Sequence, residues 1–98
     1  MRGDLRRALA LVRRRTHRGP PLHVRFYEKP DCGLCAEAYR ALRRVALDMP
    51  LEVERVDITT NEGLFDRYAL RIPVLARDGR ELDVAGVEDR AIASWLRT

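Results

Sequence analysis

The chain switches repeatedly between a two-residue and a helical hydrophobic period, and these switches predict its elements. Residues 22–28 place Leu22, Val24 and Phe26 on one face, which is typical of a strand. The stretch that follows Cys32 carries apolar side chains at helical spacing and should end at Met49, before a proline. The same reasoning predicts strands at 51–58, 72–76 and 80–84 and a last helix at 88–96. Between strands two and three, Leu64, Phe65 and Tyr68 predict the apolar stripe of a short helix.

The resulting order, β-α-β-α-β-β-α, predicts an α/β fold with a four-stranded mixed sheet. Strands one and two are joined by a helix and should be parallel, with a right-handed crossover. Asp78-Gly79 is a hairpin signal, so strands three and four should be antiparallel. Helices should then cover both faces of the sheet. Ligands in such sheets tend to bind beyond the carboxyl end of a strand, and Cys32 lies just beyond that end of strand one.

Two details of the helices can be predicted from spacing. Thr59 and Glu62 fit a capping box at the start of the second helix. The first helix should bury one stripe of apolar side chains, which comprises Leu34, Ala38, Leu42 and Val45.

Length and charge divide the chain into two parts. Its 98 residues suffice for one domain with a single core. Residues 1–21 hold seven arginines and one aspartate, a charge of +6, so residues 22–98 carry −2 of the net +4. We therefore predict a basic N-terminal extension over 1–21, with a short amphipathic helix at 4–17, and a folded domain over 22–98. Since the domain itself is not basic, there is no strong case for nucleic acid or membrane as a partner.

The extension also bears on the compartment. Its apolar stretch, residues 8–12, is too short for a secretory signal and ends at three arginines. We therefore expect the protein in the cytoplasm. A close cysteine pair there is more often catalytic or metal-binding than a structural crosslink.

The two cysteines, Cys32 and Cys35, are the features with the most obvious chemistry. They are the only cysteines in the chain and lie one helical turn apart, where a strand gives way to a helix. The free N–H groups and the dipole at a helix start favour a thiolate on Cys32. Lys29 adds a positive charge nearby and Asp31 opposes it. We expect the less exposed Cys35 to act as the resolving thiol, and the pair to form a reversible dithiol.

Three segments carry a family resemblance. Residues 27–35 read like the glutaredoxin active-site strand and turn, Ile72-Pro73-Val74 matches the cis-proline loop, and Gly86 with Glu88-Asp89 is similar to a glutathione-binding segment. Over residues 22–98 the chain resembles the glutaredoxin and thioredoxin superfamily, with most likeness to small bacterial glutaredoxin-like proteins. Gly33-Leu34 replaces the usual Pro-Tyr or Pro-Phe between the cysteines.

This resemblance implies a thioredoxin fold and roles for five residues. Cys32 would be the nucleophile, and Cys35 would resolve the mixed disulfide. Pro73 would be cis and would let the Ile72 backbone pair with a bound peptide or glutathione, while Lys29 would lie near a glutathione carboxylate. The partners would be a protein or small-molecule disulfide, together with glutathione or a thioredoxin-type reductase. Glutathione would act as a co-substrate, and no resident cofactor or metal is expected.

Other interpretations stay open at this stage. Cys32 and Cys35 could form half of a zinc site with His17 and His23, although His23 begins strand one, roughly 20 Å from Cys32. A metal or cluster could be shared between two chains, or both cysteines could be buried and inert. The domain could also be a protein-interaction module of thioredoxin fold with little or no redox activity.

Overall fold

A computed structural model describes residues 20–98. The predicted helix at 4–17 and nearly all of the basic extension lie outside these residues. The elements follow in the predicted order: β1 (Leu22–Glu28), α1 (Gly33–Val45), β2 (Leu51–Asp57), a 3-10 turn (Ile58–Thr60), α2 (Glu62–Tyr68), β3 (Val74–Arg77), β4 (Arg80–Asp83) and α3 (Asp89–Leu96).

The four strands form one mixed sheet in the order β2-β1-β3-β4. The strand β1 runs parallel to β2 over its full length, from the pair Leu22 and Leu51 to the pair Glu28 and Asp57. It runs antiparallel to β3, which in turn pairs antiparallel with β4. The predicted mixed sheet is therefore confirmed, and β1 is one of its two central strands.

Both faces of the sheet are covered, as predicted, because neighbouring residues of a strand point to opposite sides. Phe26 packs in the main core with Leu42 of α1 and Ile92 of α3. Its neighbour Tyr27 packs on the other side, where its ring stacks on Tyr68 of α2 with centroids 4.1 Å apart. The helices α1 and α3 thus cover the Phe26 side of the sheet, and α2 covers the Tyr27 side. The chain enters α1 from the carboxyl end of β1.

The predicted stripe of α1 needs one correction. Leu34 is 53% exposed, whereas Cys35 is 1% exposed and takes the first core position of the helix. A helix buries only the side chains that face its neighbours, and the choice between adjacent positions depends on how the helix is rotated against the sheet. The regular helix also ends at Val45, and a turn carries the chain on to the buried Met49.

The predicted capping box of α2 is wrong. Asn61 is the N-cap residue, and its side-chain oxygen accepts the N–H of Leu64 at 3.0 Å. Thr59 instead belongs to the preceding 3-10 turn, where its N–H and hydroxyl both donate to Asp57. These two hydrogen bonds lower the pKa of Asp57.

The Asp78-Gly79 hairpin is confirmed. Both residues have positive φ, 50° and 75°, and they connect the paired residues Arg77 and Arg80. Two left-handed residues in a two-residue loop are the requirement of a type I′ turn, whose twist suits a hairpin.

Candidate functional site

Cys32 is the N-cap residue of α1. Its backbone is extended, and its sulfur accepts the backbone N–H of Cys35 at 3.2 Å. The first turn of the helix contains no acidic residue. The sulfur therefore accepts an N–H group that has no partner inside the helix, and it lies at the positive end of the helix dipole, as the sequence predicts. Both features favour negative charge on the sulfur.

Cys35 differs from Cys32 mainly in exposure. Its side chain is buried at 1% exposure, whereas Cys32 is half-buried. The two sulfurs lie at disulfide distance, and the Cα atoms are 5.2 Å apart, inside the range that an ordinary disulfide spans. A reactant from solvent therefore meets the sulfur of Cys32 more readily than that of Cys35.

The turn before Cys32 aims the chain into the helix. Asp31 has a φ of 57° in the left-handed region, which aspartate tolerates better than most residues. Lys29, Pro30 and Asp31 are all exposed. The turn therefore stands out from the end of β1 and leaves one side of Cys32 open.

That open side is a shallow depression of about 380 Å³. Both cysteines and the predicted Lys29 line it, together with Gly33, where a Cβ would meet nothing within 4 Å. Arg55 of β2 also lines it. The structure thus brings Lys29 into the same surface as the dithiol and adds a second cation.

Arg55 is the site residue that sequence reasoning missed. Its guanidinium donates two hydrogen bonds to Glu28, at 2.7 and 2.9 Å, and lies 3.8 Å from the ring centre of Tyr39. The hydrogen bond with Glu28 raises the pKa of Arg55. Its signal in the sequence was the interruption of the hydrophobic alternation of strand two, which occurs at this residue.

The predicted Ile72 and Pro73 do not line the depression. The Ile72–Pro73 peptide bond is cis, as predicted, and Pro73 is buried. Because Tyr27 pairs with Val74, this bond lies at the edge of the sheet where β1 leads into the cysteine turn. The fold therefore brings the proline loop to the same edge as the dithiol, while Ile72 itself packs with the Tyr27 cluster.

A polar network holds the segment that leads to Pro73. The hydroxyl of Tyr68 donates to the carboxylate of Glu81, and Arg71 donates to both Glu81 and Asp83. The hydrogen bond from Tyr68, followed by the one from Arg71, lowers the pKa of Glu81, while burial raises the pKa of Tyr68. The network ties the end of α2 to β4 on either side of the loop.

The zinc interpretation finds no support in the described part of the chain. No group of three or more histidine, cysteine, aspartate or glutamate residues within 20–98 could hold a metal ion. His23 instead lies 3.0 Å from Glu52 at the start of β1. Within the same range, no helix has both the length and the apolar character needed to cross a membrane.

The chain is similar to known proteins in both sequence and structure. Residues 23–97 match the model of the Glutaredoxin-like domain (DUF836). A structural genomics target protein from X. campestris is 32% identical, with a TM-score of 0.67, and the match covers 76% of this chain and 95% of that one. No protein with a curated description matches the chain.

Two thioredoxins show the same fold at lower identity. A mutant thioredoxin from Halobacterium salinarum NRC-1 is 22% identical with a TM-score of 0.56, and the match covers 78% of this chain and 72% of that one. Thioredoxin from Fasciola hepatica is 23% identical with a TM-score of 0.53, and the match covers 79% of each chain. The four-stranded mixed sheet and its helices are therefore those of the thioredoxin fold.

Proposed function

Because the chain belongs to the glutaredoxin-like family of the thioredoxin superfamily, we propose that it is a thiol–disulfide oxidoreductase that uses Cys32 and Cys35. One observation carries the proposal. The sulfur of Cys32 caps a helix and accepts an N–H, while the sulfur of buried Cys35 lies within disulfide distance of it. This arrangement suits one exposed attacking sulfur and one protected resolving sulfur.

The reaction begins when the Cys32 thiolate attacks one sulfur of a substrate disulfide. A mixed disulfide forms, and the other substrate sulfur leaves as a thiolate that takes up a proton. Cys35 then loses its proton and attacks the sulfur of Cys32, which releases the second substrate thiol. Two electrons have passed from the protein dithiol to the substrate, and the protein is left with the Cys32–Cys35 disulfide.

A second reductant must return the protein to its dithiol form. Two molecules of glutathione would do so by becoming glutathione disulfide, or a thioredoxin-type reductase would supply the two electrons. The cytoplasm, where we place the protein, maintains both kinds of donor. In this scheme Lys29 meets a carboxylate of bound glutathione, and the backbone of Ile72 pairs with the substrate chain.

One observation favours the second candidate function, a protein-interaction module with marginal redox chemistry. Leu34 is 53% exposed between the two cysteines, and an exposed large apolar side chain at such a place suits contact with a protein partner. Replacing both cysteines with serine separates the two functions. A module would keep its partner and its function, whereas an oxidoreductase would lose its function.

The proposed oxidoreductase is tested by equilibrating the protein with buffers of known glutathione to glutathione disulfide ratio. We expect a reversible dithiol–disulfide transition, read by thiol alkylation and mass, that the Cys32→Ser, Cys35→Ser double variant lacks. Alkylation of reduced Cys32 against pH should show a midpoint below about 8.5, the ordinary value for a thiol. A midpoint at or above that value, with no disulfide formed in mild oxidant, would refute the proposal.

A further inference from the structure

We propose that Arg55 and Glu28 form an ion pair that sets the dithiol–disulfide equilibrium of Cys32 and Cys35, with Arg55 favouring the dithiol and Glu28 opposing it. The inference rests on the proposed redox function and assigns two positioning residues to it. Neither residue takes part in the sulfur chemistry itself.

Strand pairing brings Arg55 to the site. It lies opposite Phe26 on the parallel neighbour of β1, and Glu28 lies two residues further along β1. The two hydrogen bonds at 2.7 and 2.9 Å are the paired contacts that a planar guanidinium makes with a carboxylate. Since the guanidinium also lies over the ring of Tyr39 on α1, one side chain joins β2, the end of β1 and the helix that carries the cysteines.

The depression around Cys32 is lined by four charged residues, and two of them, Glu28 and Arg55, are hydrogen-bonded to each other. Lys29 and Asp31 are exposed to water, which screens their charges. The side chain of Glu28 is only 14% exposed, and that of Arg55 is 50% exposed. Charges that are partly buried and fixed by hydrogen bonds are screened less. Arg55 and Glu28 are therefore the charged side chains of this depression that hydrogen bonds to each other hold in place.

The two charges act on the sulfurs in opposite directions. A cation near Cys32 stabilises the thiolate, which exists only in the reduced protein, and so shifts the equilibrium toward the dithiol. A carboxylate destabilises the thiolate and shifts the equilibrium toward the disulfide. Removing Arg55 and removing Glu28 should therefore have opposite effects, although each removal breaks the same ion pair.

The experiment measures the equilibrium constant for oxidation by glutathione disulfide in four variants. Arg55→Met should raise it about two- to fivefold, and Glu28→Gln should lower it by a similar factor, the range expected for one partly exposed charge contact. A fivefold change corresponds to about 20 mV. Arg55→Lys, which keeps the charge and loses the paired hydrogen bonds, should stay closer to the unaltered protein. Urea unfolding of each variant confirms that it is folded.

Arg25→Met is the matched control. Arg25 and Glu54 form an ion pair of 3.0 Å on the same two strands, but they line a different cleft from the cysteines. This variant should leave the constant unchanged.

The outcomes separate the two proposals. Shifts of the same sign in Arg55→Met and Glu28→Gln would indicate a merely structural pair and overturn the inference, as would no shift in either. In both cases the proposed oxidoreductase would stand, provided that the unaltered protein cycles reversibly. An unaltered protein that forms no reversible disulfide would overturn both.

Discussion

The backbone N–H of Cys35 lies 3.2 Å from the sulfur of Cys32 and donates to it. Cys35, the proposed resolving cysteine, thus helps through its backbone to stabilise charge on Cys32, the proposed attacking one. This contact exists because Cys32 caps the helix and Cys35 is the third residue of its first turn. A spacing of three residues serves both the cap and the disulfide.

The two cysteines should therefore behave differently when each is replaced alone. The Cys35→Ser variant keeps the N–H donor, and we expect it to accumulate a mixed disulfide with glutathione, because no second thiol can release it. The Cys32→Ser variant leaves only a thiol of 1% exposure, which we expect to react at least about tenfold more slowly. The adducts are measured by mass after incubation with glutathione disulfide. Equal rates in the two variants would contradict the assigned roles.

Leu34 and Leu42 should contribute very differently to stability, although the helical spacing groups them together. Leu42 is 1% exposed in the main core, and Leu42→Ala should lower the free energy of unfolding by about 2–5 kcal/mol. Leu34 is 53% exposed, and Leu34→Ala should change it by less than about 0.5 kcal/mol. Urea unfolding of the reduced proteins measures both values. A comparable loss in the two variants would mean that Leu34 is buried after all.

Two glycine substitutions should affect stability differently. Gly79 has a φ of 75° in the hairpin, so Gly79→Ala should cost about 1–2 kcal/mol of unfolding free energy. Gly33 begins α1 with open space around its Cβ position, so Gly33→Ala should leave stability unchanged or raise it by up to about 1 kcal/mol. The comparison uses thermal unfolding of the two variants. A destabilised Gly33→Ala would show that this position needs glycine for a reason other than space.

The Tyr68–Glu81 contact should make the free energy of unfolding depend on pH in the acidic range. The hydrogen bond from Tyr68 lowers the pKa of Glu81 below the ordinary value of a glutamate. This carboxylate therefore stabilises the fold above that ordinary pKa, and the contribution is lost as the pH falls through the folded pKa. We expect Glu81→Gln to cost about 1 kcal/mol near pH 6 and progressively less as the pH is lowered through the folded pKa. Urea unfolding across this range measures the difference.

Glu88→Gln serves as the control for that experiment, since the side chain of Glu88 makes no capping hydrogen bond at the start of α3. A Glu81→Gln variant that loses no more stability than Glu88→Gln near pH 6, or whose effect does not shrink as the pH is lowered, would rule out the proposed contribution.

Much of the fold could be predicted from local pattern because the relevant physics is local. The period of two around Val24 and Phe26, the Asp78-Gly79 turn and the crossover rule were sufficient for the mixed sheet and its strand directions. The predicted capping box of α2 was wrong because two neighbouring residues could each have capped the helix. Asn61 and Thr59 are both good caps, and the choice between them depended on the 3-10 turn that Asp57 stabilises.

The sequence by itself determined the chemistry of the site: two sulfurs at the spacing of one helical turn, placed where a strand ends and a helix begins. Only the tertiary structure decided which leucine of α1 faces the core, and that Arg55 of a neighbouring strand lines the same depression as the dithiol. The physical reason is that spacing along a chain specifies which side chains share a face. The rotation of each helix and the register of each strand, which depend on packing of the whole domain, specify what that face meets.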